Sequence, residues 1–178
     1  MAIFHRLSQK LLNFKPTKTV RKEFMLPNGL VEKYFIDKDK DSVCILALTS
    51  SNLDVVLVKQ FRANTESVQI ELPGGTVEPD EPPEQAATRE LREETGFSGK
   101  MIHLASVHYS PYSSGIRHMF LAIECTQEQE LDLDPNEFLK PFTVSLEVFR
   151  EELLMTGRVR DFGCAYLGLD KMGLLTET

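Results

Sequence analysis

The stretch Gly75–Phe97, which reads GTVEPDEPPEQAATRELREETGF, constrains the possible folds more than any other part of the chain. Its proline pair, Pro82–Pro83, suits the start of a helix, where missing amide donors cost little. Gly96 suits the left-handed residue that ends a helix. The sequence therefore predicts a helix from the proline pair to about Thr95, preceded by a glycine loop. Residues three and four apart share a helix face, which groups three carboxylates on this one: Glu90, Glu93 and Glu94.

Three carboxylates crowded on one helix face repel one another, and a bound cation would relieve this repulsion. Hard oxygen ligands suit Mg²⁺ or Mn²⁺, which can bridge protein carboxylates to phosphate oxygens. Arg89 precedes Glu93 by four residues and can orient it through an ion pair. The glycine pair Gly74–Gly75 permits a tight loop in which a backbone carbonyl can face the metal. Taken alone, the glutamates could also be a solvated helix face.

The spacing of these residues resembles the Nudix box (residues 75–97) at every defining position. Gly75 is followed after five residues by Glu81, and after seven more by the run RELREETGF. The resemblance implies an α/β fold of the Nudix type, an α/β/α sandwich around a mixed β-sheet. It also implies metal-dependent hydrolysis of nucleoside diphosphates linked to another group, with Mg²⁺ as cofactor and Mn²⁺ as a possible substitute. The metal ligands that it implies are the carbonyl of Gly74 and the carboxylates of Glu90, Glu93 and Glu94.

The attacking water needs a carboxylate to accept its proton. Glu93 is the candidate base within the box, supported by Arg89. In similar pyrophosphatases of the ADP-ribose type, a glutamate from a loop beyond the box often serves instead. The acidic loop 126–137 offers Glu137, with two earlier glutamates as alternatives. Each of these loop glutamates could equally be a solvated side chain.

Two upstream segments resemble the branch of the family that cleaves ADP-ribose and nucleoside diphosphate sugars. Val58–Arg62 (VKQFR) and Ile70–Gly75 (IELPGG) match that branch's Gln-aromatic-Arg and Glu-Leu-Pro-Ala/Gly-Gly pattern. The resemblance assigns Arg62 to the substrate's phosphates, a role that suits a planar, permanently charged guanidinium. An exposed strand-end arginine is the alternative. Glu71 either contacts the substrate or the water at the metal, or it orients the loop.

Pro111 is a candidate substrate-binding residue, because it follows Gly96 at close to the proline spacing associated with ADP-ribose hydrolases. The surrounding sequence departs from that pattern, since Tyr112 replaces the usual glycine and residues 116–118 (IRH) offer no acid. This departure leaves room for another sugar nucleotide, such as GDP-mannose. Arg117 could meet a phosphate or be solvated.

The remaining β-rich runs and turns predict a single domain, residues 1–178. Asn28–Gly29 suits a tight turn and predicts an N-terminal hairpin segment over about 15–37. The further strands predicted are Ser42–Thr49, Val55–Phe61, Val68–Leu72, Ile102–Tyr109, Ile116–Glu124 and Phe138–Val144. The further helices predicted are residues 1–14, Ser145–Met155 and Asp161–Leu175. Strands followed and interleaved by helices favour the same sandwich.

Composition restricts the possible partners. The net charge of −7 argues against a nucleic-acid surface, which needs clustered lysine and arginine. The longest apolar runs are strand-sized, so no segment is expected to cross a membrane. The N-terminus lacks the pattern of a secretory signal. Three widely spaced cysteines are expected to be buried and reduced, which indicates a cytoplasmic protein.

The branch resemblance also implies a homodimer, in which the N-terminal strands reach across to the partner's nucleotide site. Phe24, Tyr34 and Phe35 could stack on the base or pack in the core.

The sequence thus predicts a Nudix hydrolase that cleaves the diphosphate of a small-molecule nucleotide sugar, ADP-ribose or a relative such as GDP-mannose. The products would be a nucleoside monophosphate and a sugar phosphate. Two alternatives remain open. One is a house-cleaning pyrophosphatase of nucleoside triphosphates or dinucleotides, and the other is a non-catalytic Nudix-fold protein that senses a nucleotide.

Overall fold

The structure is a computed structural model that describes residues 18–128, 133 and 138–175. The described residues form two sheets and three helical segments. The strands are β1 (Thr19–Met25), β2 (Val31–Asp37), β3 (Ser42–Thr49), β4 (Val55–Arg62), β5 (Ser67–Glu71), β6 (Phe97–His108), β7 (Ile116–Gln127), β8 (Leu139–Val144) and β9 (Val159–Arg160). The helices are α1 (Pro83–Thr95), α2 (Leu146–Val148), which continues as a π-helix over Phe149–Leu154, and α3 (Phe162–Lys171).

The main sheet is mixed and has seven strands within the described residues. Its order is β6-β7-β3-β4-β5-β9, and β8 pairs with β4. The β3–β7 and β5–β9 pairs are parallel, whereas the other pairs are antiparallel. Every residue of the central strand β3 is buried, as a strand covered on both faces requires.

Side chains alternate along β3 between two apolar layers, because successive residues of a strand point to opposite faces. Val43, Ile45 and Ala47 pack with α1. Cys44 and Leu46, which alternate with these residues along the strand, pack with the π-helix and α3. Helices therefore cover both faces of the sheet, and the predicted α/β/α sandwich is confirmed.

The predicted N-terminal hairpin is present. β1 and β2 pair antiparallel and form a two-stranded sheet of their own. Gly29 at the turn has a φ of 84°, a value that favours glycine. Phe24 and Phe35 are 52% and 59% exposed, so a core role for these two aromatic side chains is wrong.

The glycine loop is held against β3 by the main sheet. β4 pairs with β3 near its start and with β5 towards its end. The chain leaving β5 then returns to β3, where the amides of Val43 and Ile45 donate to the carbonyls of Gly75 and Pro73, both at 2.9 Å. These two bonds fix the loop directly before α1.

Three details differ from the sequence prediction. The helix predicted over Ser145–Met155 is π-helical in its second half, where the Met155 amide donates to the carbonyl of Arg150 at 2.9 Å. The last helix ends at Lys171. The short strand β9 was missed, because two residues carry no readable alternation and their partner strand β5 is far away in sequence. The helix predicted for residues 1–14 lies outside the described residues.

Candidate active site

A pocket of about 560 Å³ opens between the glycine loop, α1 and the ends of several strands. Its lining brings together most of the residues singled out in the sequence. From the box they are Gly74, Gly75, Arg89, Glu90, Glu93 and Glu94, and from the upstream segments they are Arg62 and Glu71. Arg117 and Arg160 also line this pocket.

Arg89 links the parts of the box through one guanidinium group. Its Nε and Nη2 donate to the two carboxylate oxygens of Glu81, at 2.9 and 3.0 Å. Its Nη1 donates to Glu90 and to Glu93, at 3.0 Å each, and its Nη2 also donates to the carbonyl of Thr76 at 3.0 Å. The hydrogen bonds from Arg89 are the largest influence on the pKa of Glu81, which lies below its ordinary value. Arg89 thus fixes the loop and carboxylates of α1 relative to each other.

The carboxylates of α1 converge on the glycine loop. Glu90 and Glu94 are 8% and 4% exposed. Glu94 accepts a hydrogen bond from the amide of Gly74 at 2.8 Å. The carboxylate of Glu90 fills the space beside Gly75, where a Cβ atom would stand only 2.4 Å from it. A side chain at this position would therefore displace the carboxylate of Glu90.

The chemistry of these donors fits a divalent cation. Oxygen ligands from three carboxylates beside backbone groups suit Mg²⁺ or Mn²⁺. In the structure, the positive group between Glu90 and Glu93 is the Arg89 guanidinium, since both carboxylates bond its Nη1. Among the described residues, no three acidic, histidine or cysteine side chains are already arranged to hold a metal. Each of these two carboxylates bonds Arg89 through one oxygen, and a carboxylate can accept from more than one partner, so Arg89 and a metal could share them.

Glu71 is held in the pocket wall between two arginines. Nε of Arg62 donates to Glu71 Oε1 at 2.7 Å, and Nη2 bonds the other oxygen. Arg160 Nη1 lies 3.6 Å from Oε1. Burial would raise the pKa of Glu71, but the hydrogen bonds and charge of Arg62, followed by the charge of Arg160, lower it below its ordinary value. Glu71 is therefore ionised, and it orients Arg62.

Arg117 is neither exposed nor in a loop. It lies on β7 with its side chain 17% exposed, and its Nη2 is 2.7 Å from Oδ2 of Asp161. Nη1 donates to the hydroxyl of Ser42 at 3.0 Å, and the Tyr109 hydroxyl donates to the same oxygen. Sequence reasoning missed Arg160, which the fold brings to the pocket, and Asp161, which the fold brings to Arg117.

Among the described residues, one predicted site residue is not part of this lining. Pro111 lines a neighbouring cleft that it shares with Lys22 and Ile36 of the hairpin. Glu137 lies outside the described residues. Leu133, from the same acidic loop, does line the pocket.

The three cysteines are free and buried, as predicted: Cys44, Cys125 and Cys164. Burial raises the pKa of the Cys125 thiol to about 11, so this thiol stays protonated. Within the described residues, no helix combines the length and apolar character needed to cross a membrane.

Comparison with known proteins agrees with this geometry. The family model for the NUDIX domain matches residues 38–162. The chain is 40% identical to an ADP-ribose pyrophosphatase of Bacillus subtilis (strain 168) over 125 residues, which is 68% of this chain and 67% of that protein. It is 34% identical to a methanol dehydrogenase activator of Bacillus methanolicus over 125 residues, again 68% and 67% of the two chains. The chain belongs to the Nudix family.

The fold agrees with that of a solved relative. A crystal structure of an ADP compounds hydrolase superimposes with a TM-score of 0.74, covers 94% of each chain and is 20% identical in sequence. At this level of identity, the similarity supports the fold alone.

Proposed function

We propose that this protein hydrolyses the diphosphate of ADP-ribose or a related nucleoside diphosphate sugar, and releases a nucleoside monophosphate and a sugar phosphate. The observation that carries the proposal is that the same pocket is lined both by carboxylates of the Nudix box and by arginines. Such a pocket offers cation ligands on one wall and phosphate donors on another. The named relatives support the substrate class, since the proteins of Bacillus subtilis and of Saccharomyces cerevisiae are ADP-ribose pyrophosphatases.

Magnesium is the proposed cofactor, with Mn²⁺ as a substitute, and Glu90, Glu93, Glu94 and the carbonyl of Gly74 are its proposed ligands. When bound, the cation would neutralise the charge of the diphosphate and make water a better nucleophile. Residues of the chain would bind the phosphates and position the carboxylates. Arg62, oriented by Glu71, is proposed to bind phosphate oxygens. Arg89 holds the box carboxylates in position relative to one another.

The base that accepts the proton of the attacking water is proposed to be Glu93 or Glu137. Glu93 is the most exposed of the three proposed glutamate ligands, with its side chain 30% accessible, so water can reach it. The position of Leu133 in the pocket lining supports a contribution from the loop that carries Glu137. The variants Glu93→Gln and Glu137→Gln separate these candidates, because loss of the base should abolish the acidic limb of the pH–rate profile.

The assembly is proposed to be a homodimer formed through the N-terminal hairpin. The hairpin stands apart from the main sheet and exposes several large apolar side chains: Phe24, Met25, Leu30, Val31 and Phe35. Both faces of the hairpin carry exposed apolar side chains, since the pairing register places Phe24 on one face and Met25, Val31 and Phe35 on the other. Such exposure supports an interface. Light scattering should give the mass of two chains, and the double variant Phe24→Asp/Phe35→Asp should give the mass of one. Pro111, next to the hairpin, is proposed to contact substrate in that assembly.

We further propose a single domain and a cytoplasmic location. Three buried cysteines without a disulfide support a reducing compartment.

The test is a panel of ADP-ribose, GDP-mannose, UDP-glucose, NADH, diadenosine polyphosphates and dNTPs, each incubated with Mg²⁺ and quantified by chromatography. We expect monophosphate and sugar phosphate from one nucleotide sugar. The variant Glu94→Gln should lose more than the roughly 10–100-fold typical of residues that merely support a metal site. Glu84→Gln is the matched control, since Glu84 is an exposed carboxylate in the first turn of the same helix. Turnover confined to triphosphates or dinucleotides would contradict the substrate proposal. Absence of turnover with every compound would favour a nucleotide sensor.

A further inference from the structure

The ion pair between Arg117 and Asp161 stands at the pocket and takes no part in the Nudix box. Both side chains are mostly buried, at 17% and 18% exposure, and their closest atoms are 2.7 Å apart. Ser42 receives a hydrogen bond from Nη1 of Arg117 and another from the hydroxyl of Tyr109. Ser42, Tyr109 and Arg117 all line the catalytic pocket. The guanidinium is therefore held at the pocket wall by groups from three separate segments of the chain.

The carboxylate of Asp161 is directed to Arg117 and not to its own helix. Asp161 has φ 64° and ψ 33°, a left-handed conformation that aspartate tolerates better than most residues with a Cβ. It is the residue before α3, yet its side chain does not cap the helix, although aspartate at this position normally does. Burying the pair also removes two charges from water, and apolar side chains of similar volume would avoid that penalty. Packing of the fold alone therefore does not account for the pair.

We propose that Arg117 binds phosphoryl oxygens of the substrate's diphosphate, and that Asp161 is the positioning residue that aims it. This inference rests on the proposed function. It assigns to Arg117 the binding of the substrate's anionic diphosphate at the wall of the pocket that β7 forms. A guanidinium carries five N–H donors and cannot be deprotonated in proteins. Asp161 and Ser42 take one contact on each terminal nitrogen, so donors remain for a ligand. Arg62, by contrast, has Nε and Nη2 engaged by Glu71.

Asp161 allows the aiming role to be separated from folding. Asp161→Asn keeps a residue type that tolerates the left-handed conformation but removes the charge. Asp161→Gly removes both the charge and the strain. Each variant leaves the mostly buried Arg117 guanidinium without its carboxylate, so both should lower the melting temperature. Binding is therefore measured well below that temperature, where weaker binding by a folded variant reports a misplaced Arg117. Arg117→Gln removes the binding group itself, and Arg117→Lys keeps the charge without the planar fork.

The experiment is calorimetric titration of the protein with imidodiphosphate, a non-hydrolysable diphosphate, at fixed free Mg²⁺. We expect Arg117→Gln and both Asp161 variants to raise the dissociation constant by about 10–100-fold, the effect of losing a charge-assisted hydrogen bond. The dissociation constant of Arg117→Lys should fall between those of the wild type and of Arg117→Gln. Arg150→Gln is the control, because Arg150 is not part of the pocket lining and donates to the carbonyl of Leu175 at 3.4 Å. With the substrate found by the panel, KM should rise more than kcat falls.

Unchanged imidodiphosphate binding in folded Asp161 and Arg117 variants would make the pair a purely structural ion pair and overturn the proposal. The outcome is independent of the substrate class. If no nucleoside diphosphate sugar is turned over but imidodiphosphate binding still depends on Asp161, the role of Arg117 stands and the proposed substrate fails.

Discussion

The contact between Gly75 and Glu90 allows the proposed metal site to be damaged without damaging the fold. A Cβ atom at Gly75 would stand 2.4 Å from the carboxylate of Glu90, whereas unstrained contacts of carbon atoms are about 3.5–4.0 Å. The Gly75→Ala variant must therefore move this carboxylate by roughly 1 Å. Mg²⁺ tolerates little variation around its metal–oxygen distance of about 2.0–2.1 Å, so such a displacement removes Glu90 as a ligand. We expect the Mg²⁺ concentration for half-maximal activity to rise about 10–100-fold, or about 1.4–2.7 kcal/mol of binding free energy.

Gly74→Ala is the matched comparison, because the neighbouring glycine meets backbone instead of a flexible side chain. Its Cβ would stand 2.3 Å from the carbonyl oxygen of Val43, and its φ of 151° disfavours an L-residue. Strain and overpacking of this kind cost about 1–3 kcal/mol each. For a chain of this size, each kcal/mol lowers the melting temperature by about 2–4 °C. Gly74→Ala should therefore unfold several degrees earlier, and Gly75→Ala should stay near the wild type.

The assay combines differential scanning calorimetry in EDTA with titration of Mn²⁺ and a Mg²⁺ activation curve. The double variant Gly75→Ala/Glu90→Gln should be no worse than Glu90→Gln alone, since both changes act on one carboxylate. Two results would refute the reasoning. One is a Gly75→Ala protein that binds metal like the wild type, and the other is additive effects in the double variant.

Three further predictions use other contacts. Glu81→Gln should loosen the double hydrogen bond to Arg89 and lower kcat by about 10-fold or more; an unchanged rate would show that Arg89 is held well enough by its other partners. Glu71 has a lowered folded-state pKa, so its stabilisation is present above the unfolded-state pKa of about 4.3 and is lost as pH falls through the lower folded-state value. Denaturant titrations should therefore show wild type and Glu71→Gln converging in stability below about pH 4, and a constant difference would contradict this. In α3, Gly163→Ala should stabilise by about 0.4–1 kcal/mol, because a Cβ there meets nothing closer than 4.0 Å. Gly168→Ala, whose Cβ would stand 2.6 Å from Leu46, should destabilise by about 1–3 kcal/mol, and equal effects in calorimetry would refute the packing argument.

The box and its helix could be predicted from the sequence because their signals are local. Proline marks the start of α1, Gly96 ends it with a φ of 75°, and the spacing of the glutamates alone places them on one face. The central strand β3 was equally readable, since an uninterrupted apolar run of that length is typical of a strand buried on both faces.

The arginine side of the pocket could not be predicted, because it depends on contacts between distant parts of the chain. β9 is only two residues long, and its pairing with β5 brings Arg160 to Glu71. Asp161 adopts a left-handed conformation, and no glycine at this position indicates it in the sequence. Arg117 lies at the beginning of β7, where sequence alone cannot distinguish a solvated side chain from one buried against a partner.

The guanidinium of Arg89 has a consequence for how the protein meets its cation. It pairs with Glu90 and Glu93 on the helix and with Glu81 before it. One positive charge shared by three carboxylates holds them in place and still leaves an excess of negative charge, which attracts a cation. A divalent ion would therefore meet carboxylates that are already positioned, and its binding would not have to assemble the site.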